Sequence, residues 1–105
     1  MTPMSSSLRI PIEEVRRLAF GLILDVRTQE ERERGYYPNS IPVELSTLRE
    51  EVPFLQSNRA VHILVYANGD SRAEQAANTL YNMGYHNTRY IAESYIHLLP
   101  GSAAD

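Results

Sequence analysis

The sequence predicts an α/β fold: a mostly parallel central sheet with helices on both faces. Two apolar runs, at residues 22–26 and 61–66, are typical of strands that are buried on both faces. A segment with helical spacing of its apolar residues follows at 73–83. Because strands that alternate with helices form parallel sheets with covered faces, this order of elements predicts the class.

The predicted helices have start and stop signals. Residues 12–20 carry apolar side chains at helical spacing after Pro11, which suits a first helical position. Residues 28–31 fit a capping box, and so do residues 71–74, before a helix that ends at Gly84. The remaining predicted elements are a helix from Ser46 to Glu51 that is broken at Pro53, weaker strands at 40–43 and 88–91, and a final helix near 95–99.

Length and composition limit the function classes. A chain of 105 residues fits one domain with one core, which we expect at 8–99 between tails at 1–7 and 100–105. With 0 cysteines, the chain has no disulfide, no thiolate metal site and no cysteine nucleophile. The net charge of -3 argues against a general nucleic-acid binder. No apolar run is long enough to span a bilayer and no secretory signal is present, so we expect a cytoplasmic location.

Two places qualify as a ligand site. In parallel sheets, ligands gather beyond the carboxyl ends of the strands. Asp25 and Arg27 follow the first predicted strand, and a tight loop follows Tyr66. These positions are the candidates for functional chemistry.

Four motifs in order resemble the rhodanese-like domain family. Residues 24–27 are similar to its Leu-Asp-Val-Arg strand end, and residues 30–41, with several substitutions, to its segment that starts with Glu-Phe and ends with Gly-His-Ile-Pro-Gly-Ala-Ile. Residues 65–72 are similar to its Val-Tyr-Cys strand and loop, and 83–87 to its Gly-Phe-x-Asn helix end. The match runs from about 8 to 98. The resemblance implies a rhodanese-like fold with about five strands.

The resemblance implies a chemistry that this chain does not carry in the usual way. Active rhodaneses transfer sulfur through a persulfide on a cysteine, which opens a six-residue loop that closes with an arginine at the head of a helix. The amides of such a turn and helix start hold an anion. Here Ala67 takes the place of the cysteine, and a methyl group cannot carry sulfur. The six loop positions are Ala67, Asn68, Gly69, Asp70, Ser71 and Arg72.

Three further departures from the family pattern involve four positions. Asp70 puts a carboxylate into a loop built for anions, so we expect weaker anion binding unless it turns outward to cap the helix. Glu93 and Ser94 stand where the family has two glycines, and Tyr36 stands where it has histidine. These departures around one pocket suggest that the constraint on catalysis is relaxed.

Most candidate residues have a functional and a structural interpretation. Arg72 fits an anion clamp as well as a surface arginine bound to its own loop. Asp25 and Arg27 fit the pocket mouth, but a hydrogen-bonded link between strand and loop is the better interpretation. Ser71 lacks a neighbouring base, so a capping role is favoured over that of a nucleophile. The histidines show no metal-ligand spacing, and we expect no metal or cofactor.

These observations lead to one main hypothesis and two alternatives. We expect a catalytically inactive rhodanese-like domain with a binding or regulatory role, not an enzyme. Its pocket would be rimmed by Asp25, Arg27 and Tyr36 and would take a small anion or a protein partner, with no nucleic-acid or membrane partner. The alternatives are a sulfurtransferase component whose cysteine comes from a partner, and a structural interaction module. The oligomeric state stays open.

Overall fold

The computed structural model describes residues 8–99, so the predicted tails at 1–7 and 100–105 lie outside the described residues. Within this range no helix is long and apolar enough to cross a membrane. The strands are β1 (Leu22–Asp25), β2 (Ile41–Pro42), β3 (Ile63–Ala67) and β4 (Thr88–Ser94). The helices are α1 (Ile12–Val15), α2 (Gln29–Glu33), α3 (Leu48–Leu55) and α4 (Arg72–Asn82), with 3₁₀ turns at Leu45–Thr47 and Tyr95–Leu98.

The four strands form one parallel sheet in the order β2-β1-β3-β4, which confirms the predicted class. The strand count is smaller than the five that the family resemblance implied. In place of a fifth strand, a single bridge joins Arg9 to Tyr90, with the Ile10 amide donating to the Tyr90 carbonyl at 2.9 Å. Pro11 follows at once and has no amide hydrogen, so the pairing stops there.

Two hydrophobic layers cover the sheet, one on each face. Alternate residues of β1 and β3 point to opposite faces, as expected for strands. Leu24 and Val65 pack on the face covered by α3 and α4. Leu64 and Tyr66 pack on the face covered by α1 and the final 3₁₀ turn. All five residues of β3 are buried, because this central strand has a layer on either side.

The two predicted capping boxes have different outcomes. The one at α2 is present: the Glu31 amide donates to Thr28 Oγ1 at 3.3 Å, and the Thr28 amide donates to Glu31 Oε1 at 2.9 Å. The one at α4 is absent. Ser71 has helical backbone angles (φ −77°, ψ −4°), whereas a capping residue normally has extended ones. Its hydroxyl instead accepts from Gln75 Nε2 at 2.9 Å.

Two predicted helix ends are wrong. The helix predicted over 12–20 ends at Val15. The amides of Arg17 and Leu18 donate to carbonyl groups three residues back, as in a 3₁₀ turn and not in an α-helix. Leu18 is 52% exposed, so no buried apolar face holds the helix beyond Val15. Conversely, α3 continues through Pro53 to Leu55. A proline removes one amide donor, and the fully buried Val52 keeps this helix on the core.

Candidate functional site

The loop 67–72 leaves β3 at the carboxyl edge of the sheet and leads into α4. Ala67, at the nucleophile position of the family, is the last residue of β3 and is fully buried in the core. It pairs with Ser94 at the end of β4, and Asn68 forms a bridge to the same residue. β4 therefore extends beyond the predicted end at residue 91 and closes one side of the loop.

A cleft of about 340 Å³ lies beside this loop. One wall carries charged side chains, those of Arg27, Glu31 and Arg34. The other wall comes from the loop and the final 3₁₀ turn, through Asn68, Ser94, Tyr95 and Ile96. Of the loop residues predicted for the pocket, Asn68 lines this cleft.

Arg72 is held by two carboxylates of the chain itself. Its Nη1 and Nη2 donate to the two oxygens of Glu31 at 2.7 and 2.9 Å. Its Nε and Nη2 donate to Asp70 Oδ1 and Oδ2 at 3.0 and 2.7 Å. The hydrogen bonds from Arg72 hold the pKa of Glu31 and that of Asp70 below their usual ranges. Arg72 thus occupies the position expected for an anion clamp but already binds internal anions.

Asp70 also caps α4. Its Oδ1 accepts the Arg72 amide at 3.0 Å. Asp70 and Ser71 are exposed, and Gly69 between Asn68 and Asp70 has φ +85°, in the left-handed region that favours glycine. Asp70 therefore takes the outward, helix-capping arrangement that the sequence analysis gave as the exception to weaker anion binding.

Asn68 and Ser94 connect three elements around the cleft. Asn68 Nδ2 donates to Glu31 Oε2 at 3.0 Å, and the Ser94 hydroxyl donates to Asn68 Oδ1 at 3.3 Å. The Ile96 amide donates to Ser94 Oγ at 3.4 Å and begins the final 3₁₀ turn. The loop is thereby fixed between α2 and that turn.

Asp25 and Arg27 form a buried ion pair under the cleft. Arg27 Nε and Nη2 donate to the Asp25 oxygens at 2.8 Å each, and Arg32 Nη1 donates to Asp25 Oδ2 at 3.0 Å. Burial alone would raise the pKa of Asp25, but these hydrogen bonds outweigh it and hold the pKa below its usual range. The geometry is that of a link between strand and loop. Arg27 also reaches the cleft wall, with its guanidinium 4.3 Å from the centre of the Tyr95 ring.

Tyr36, expected at the rim, is not among the side chains that line the cleft. It is 50% exposed, and the Arg32 guanidinium lies 4.0 Å from the centre of its ring. The neighbouring Gly35 has φ +147°, and a Cβ there would meet the Tyr95 hydroxyl at 2.6 Å. Glycine at this position therefore lets the chain pass close to the cleft wall.

Sequence reasoning missed five of the residues that line the cleft. Glu31 was assigned to capping alone, and Arg34 was given no role. Ser94 was noted only as a departure from glycine. The topology offers a signal for the last two, Tyr95 and Ile96, because loops that follow neighbouring parallel strands meet at one edge. Among residues 8–99 no group of three acidic or histidine side chains is placed to hold a metal ion.

Comparison with known protein families identifies the fold family. The family model of the rhodanese-like domain matches residues 11–96. The chain belongs to the rhodanese-like domain family. A rhodanese-related protein of Thermoplasma volcanium is 31% identical, with a TM-score of 0.61 over 71% of each chain. The human single-domain sulfurtransferase TSTD1 has the same fold, with a TM-score of 0.77 and 21% identity over 91% of this chain and 98% of that one.

Curated relatives of this rhodanese-like domain are named as RNA-modifying enzymes. The tRNA uridine(34) hydroxylase of Photorhabdus laumondii is 32% identical over 74 residues, which are 67% of this chain and 21% of that protein. The protein of that name from Yersinia pestis is 31% identical over the same length. The chain spans about a fifth of the length of these relatives.

These names correct the expectation that the chain is not an enzyme. The curated relatives are hydroxylases by name, so this rhodanese-like domain matches part of proteins that are named as enzymes. The missing cysteine alone does not exclude a part in catalysis. Positioning of a substrate and stabilisation of developing charge also accelerate reactions, and neither needs a nucleophile in this loop.

Proposed function

We propose that this rhodanese-like domain is the binding part of a group-transfer enzyme. It holds an anionic group in the cleft beside the loop 67–72, while the reacting nucleophile comes from another chain. The observation that carries the proposal is a folded loop of family length, next to a cleft of about 340 Å³, with Ala67 at the nucleophile position. The enzyme names of the relatives support the same context.

The charges around the cleft favour an anion. Arg27 and Arg34 line it, and the N-terminus of α4, with its positive dipole end, follows the loop. Glu31, the carboxylate that lines it, and Asp70 in the neighbouring loop are both bound by Arg72. An incoming anion thus meets guanidinium groups and neutralised carboxylates.

The loop itself supports a nucleophile from elsewhere. The Ala67 methyl group is buried and unreactive. The Ser71 hydroxyl accepts from Gln75 Nε2, and an amide donor is not a base that activates a hydroxyl. The binding role expected from the sequence is kept in this proposal, whereas a role outside enzymes is not.

The first experiment restores the nucleophile. The rate of sulfur transfer from thiosulfate to cyanide is measured for the native chain, Ala67→Cys and Ala76→Cys. Ala76 is a buried alanine of α4 away from the loop, so its variant controls for a thiol as such. We expect activity in Ala67→Cys alone, because the loop still forms the site. The proposal would be overturned if Ala67→Cys folds but transfers no sulfur, or if Ala67→Cys and Ala76→Cys have equal rates.

The second experiment measures binding directly. Thiosulfate is titrated into the native chain and followed by amide resonances in NMR spectra. We expect the signals of Asn68, Ser94 and Ile96 to shift together with one binding curve. Shifts spread evenly over the chain, or none at these residues, would contradict a site in this cleft.

A further inference from the structure

We infer that Arg34, and not Arg72, receives the anionic group in the cleft, and that the ligand is a segment of a partner protein. That segment carries a carboxylate next to an apolar side chain. The inference rests on the proposed binding function and names the partner of the same site.

Arg72 and Arg27 have little capacity for another anion. Arg72 makes four hydrogen bonds to Glu31 and Asp70. Arg27 is buried and donates to both oxygens of Asp25 and to the Gly35 carbonyl at 2.8 Å. An incoming carboxylate would have to displace charge-assisted bonds of the same kind, so it gains little at either arginine.

Arg34 is different. It follows the last residue of α2, is exposed and lines the cleft. Its backbone amide donates to the Glu31 carbonyl at 3.1 Å, which fixes the base of the side chain. Across residues 8–99 its guanidinium forms neither an ion pair nor a hydrogen bond. Its donors are therefore available to a ligand.

The rest of the cleft fits more than a bare inorganic anion. Ile96 lines it and is 50% exposed, and the ring of Tyr95 lies beside it. A volume of about 340 Å³ falls within the range of pockets for organic ligands, which are mostly apolar with a few polar anchors. A ligand carboxylate would accept hydrogen bonds from Arg34, and an apolar side chain next to it would pack against Ile96. An acidic side chain beside an apolar one, in a partner's exposed segment, has this chemistry.

The test uses two short peptides, acetyl-Leu-Glu-Leu-amide and its counterpart with glutamine at the centre. Each is titrated into the native chain, Arg34→Ala, Arg72→Lys and Arg49→Ala, with the Tyr95 and Ile96 amide signals as the readout. Arg49 is an exposed arginine of α3 that does not line the cleft, so its variant is the matched control. We expect the glutamate peptide to bind more tightly than the glutamine peptide. Arg34→Ala should weaken its binding roughly tenfold, whereas Arg49→Ala should leave it unchanged.

The outcomes separate the two proposals. Equal binding of both peptides, or weakening by Arg72→Lys and not by Arg34→Ala, would overturn the assignment to Arg34 and leave the binding function intact. If neither thiosulfate nor the peptides bind the native chain, the proposed function itself fails. Circular dichroism spectra of each variant show that the fold is retained.

Discussion

Two arginine–carboxylate networks each contribute a side chain to the same cleft, and they differ mainly in burial. One consists of Asp25 and Arg27, whose side chains are each 1% exposed. The other joins Arg72 to Glu31 and Asp70. The exposed fractions of these side chains are 25% for Arg72, 28% for Glu31 and 45% for Asp70. Bond lengths are nearly equal, at 2.8 Å in the first network and 2.7 Å for the shortest bonds of the second.

Arginine–carboxylate pairs therefore contribute differently to stability in the two networks. If a buried partner is lost, the remaining charge stays desolvated, which costs several kcal/mol. If a partner is lost in the loop network, water replaces it, and exposed ion pairs are worth at most about 1 kcal/mol. The buried pair thus fixes the end of β1, while the loop network sets the charge around the cleft with little effect on stability.

The largest expected effect tests the buried network. Arg27→Ala leaves Asp25 ionised and buried, with Arg32 as its remaining partner. We expect the free energy of unfolding to fall by about 3–5 kcal/mol, measured by urea denaturation. Arg34→Ala, an exposed arginine without an ion pair in the described chain, should change it by less than about 0.5 kcal/mol. A loss below about 1 kcal/mol for Arg27→Ala would remove the distinction between the networks.

Acid should act through both networks, because each contains carboxyl groups whose pKa is lowered in the folded chain. The pKa values of Asp25, Glu31 and Asp70 are all lowered on folding, from ordinary values of 3.8 for Asp and 4.5 for Glu. A carboxyl with a lowered pKa stabilises the fold above its ordinary value, and this stabilisation is lost as the pH falls below it. We expect the urea midpoint to drop between pH 5 and pH 3, values on the order of the ordinary carboxyl pKa range.

A variant that lacks one loop carboxyl separates the contribution of the loop network to the acid effect from that of the buried network. Asp70→Asn lacks one loop carboxyl, so its urea midpoint should drop slightly less than that of the native chain over the same pH range. The greater part of the drop should remain, because Glu31 and Asp25 keep their carboxyl groups and their lowered pKa values. An acid response that disappears in Asp70→Asn would place the pH sensitivity in the loop instead.

The sequence was sufficient where one segment determines its own structure. The apolar runs predicted β1 and β3, because strands buried on both faces need such runs. The capping box at Thr28 and Glu31 was readable for the same reason, since both residues act within one turn. At Ser71 the local pattern failed because its backbone is already helical, and its hydroxyl accepts from Gln75 instead of from the Glu74 amide.

The candidate site was predictable only in part. Of the residues that line the cleft, Arg27 and Asn68 could be indicated from the sequence, because they lie where neighbouring parallel strands end. The partnership of Glu31 with Arg72 spans 41 residues and depends on how α2 packs over the loop, which no local pattern records. Arg34 has no distinctive neighbours in the sequence; of the two arginines that line the cleft in the described chain, it is the one outside both networks.

The smallest expected effect on stability gives the sharpest test of the loop network. Asp70→Asn keeps an oxygen that accepts the Arg72 amide. It removes the negative charge to which Nε and Nη2 of Arg72 donate. Because Asp70 is half exposed, we expect the free energy of unfolding to fall by no more than about 1 kcal/mol. Combined with Ala67→Cys, the same change should raise thiosulfate sulfur transfer above that of Ala67→Cys alone, since less negative charge then faces the anion.

Urea denaturation and the sulfur-transfer rate separate the possible results of this last experiment. A small loss of stability with a faster rate means that Asp70 tunes the charge of the loop. A loss as large as that of Arg27→Ala would mean that the exposed network is as structural as the buried one. An unchanged rate would mean that the carboxylate, held by Arg72 and by the helix start, does not repel anions at position 67. In that case the native loop lacks sulfur transfer only because the thiol is missing, since the charges around position 67 already suit an anion.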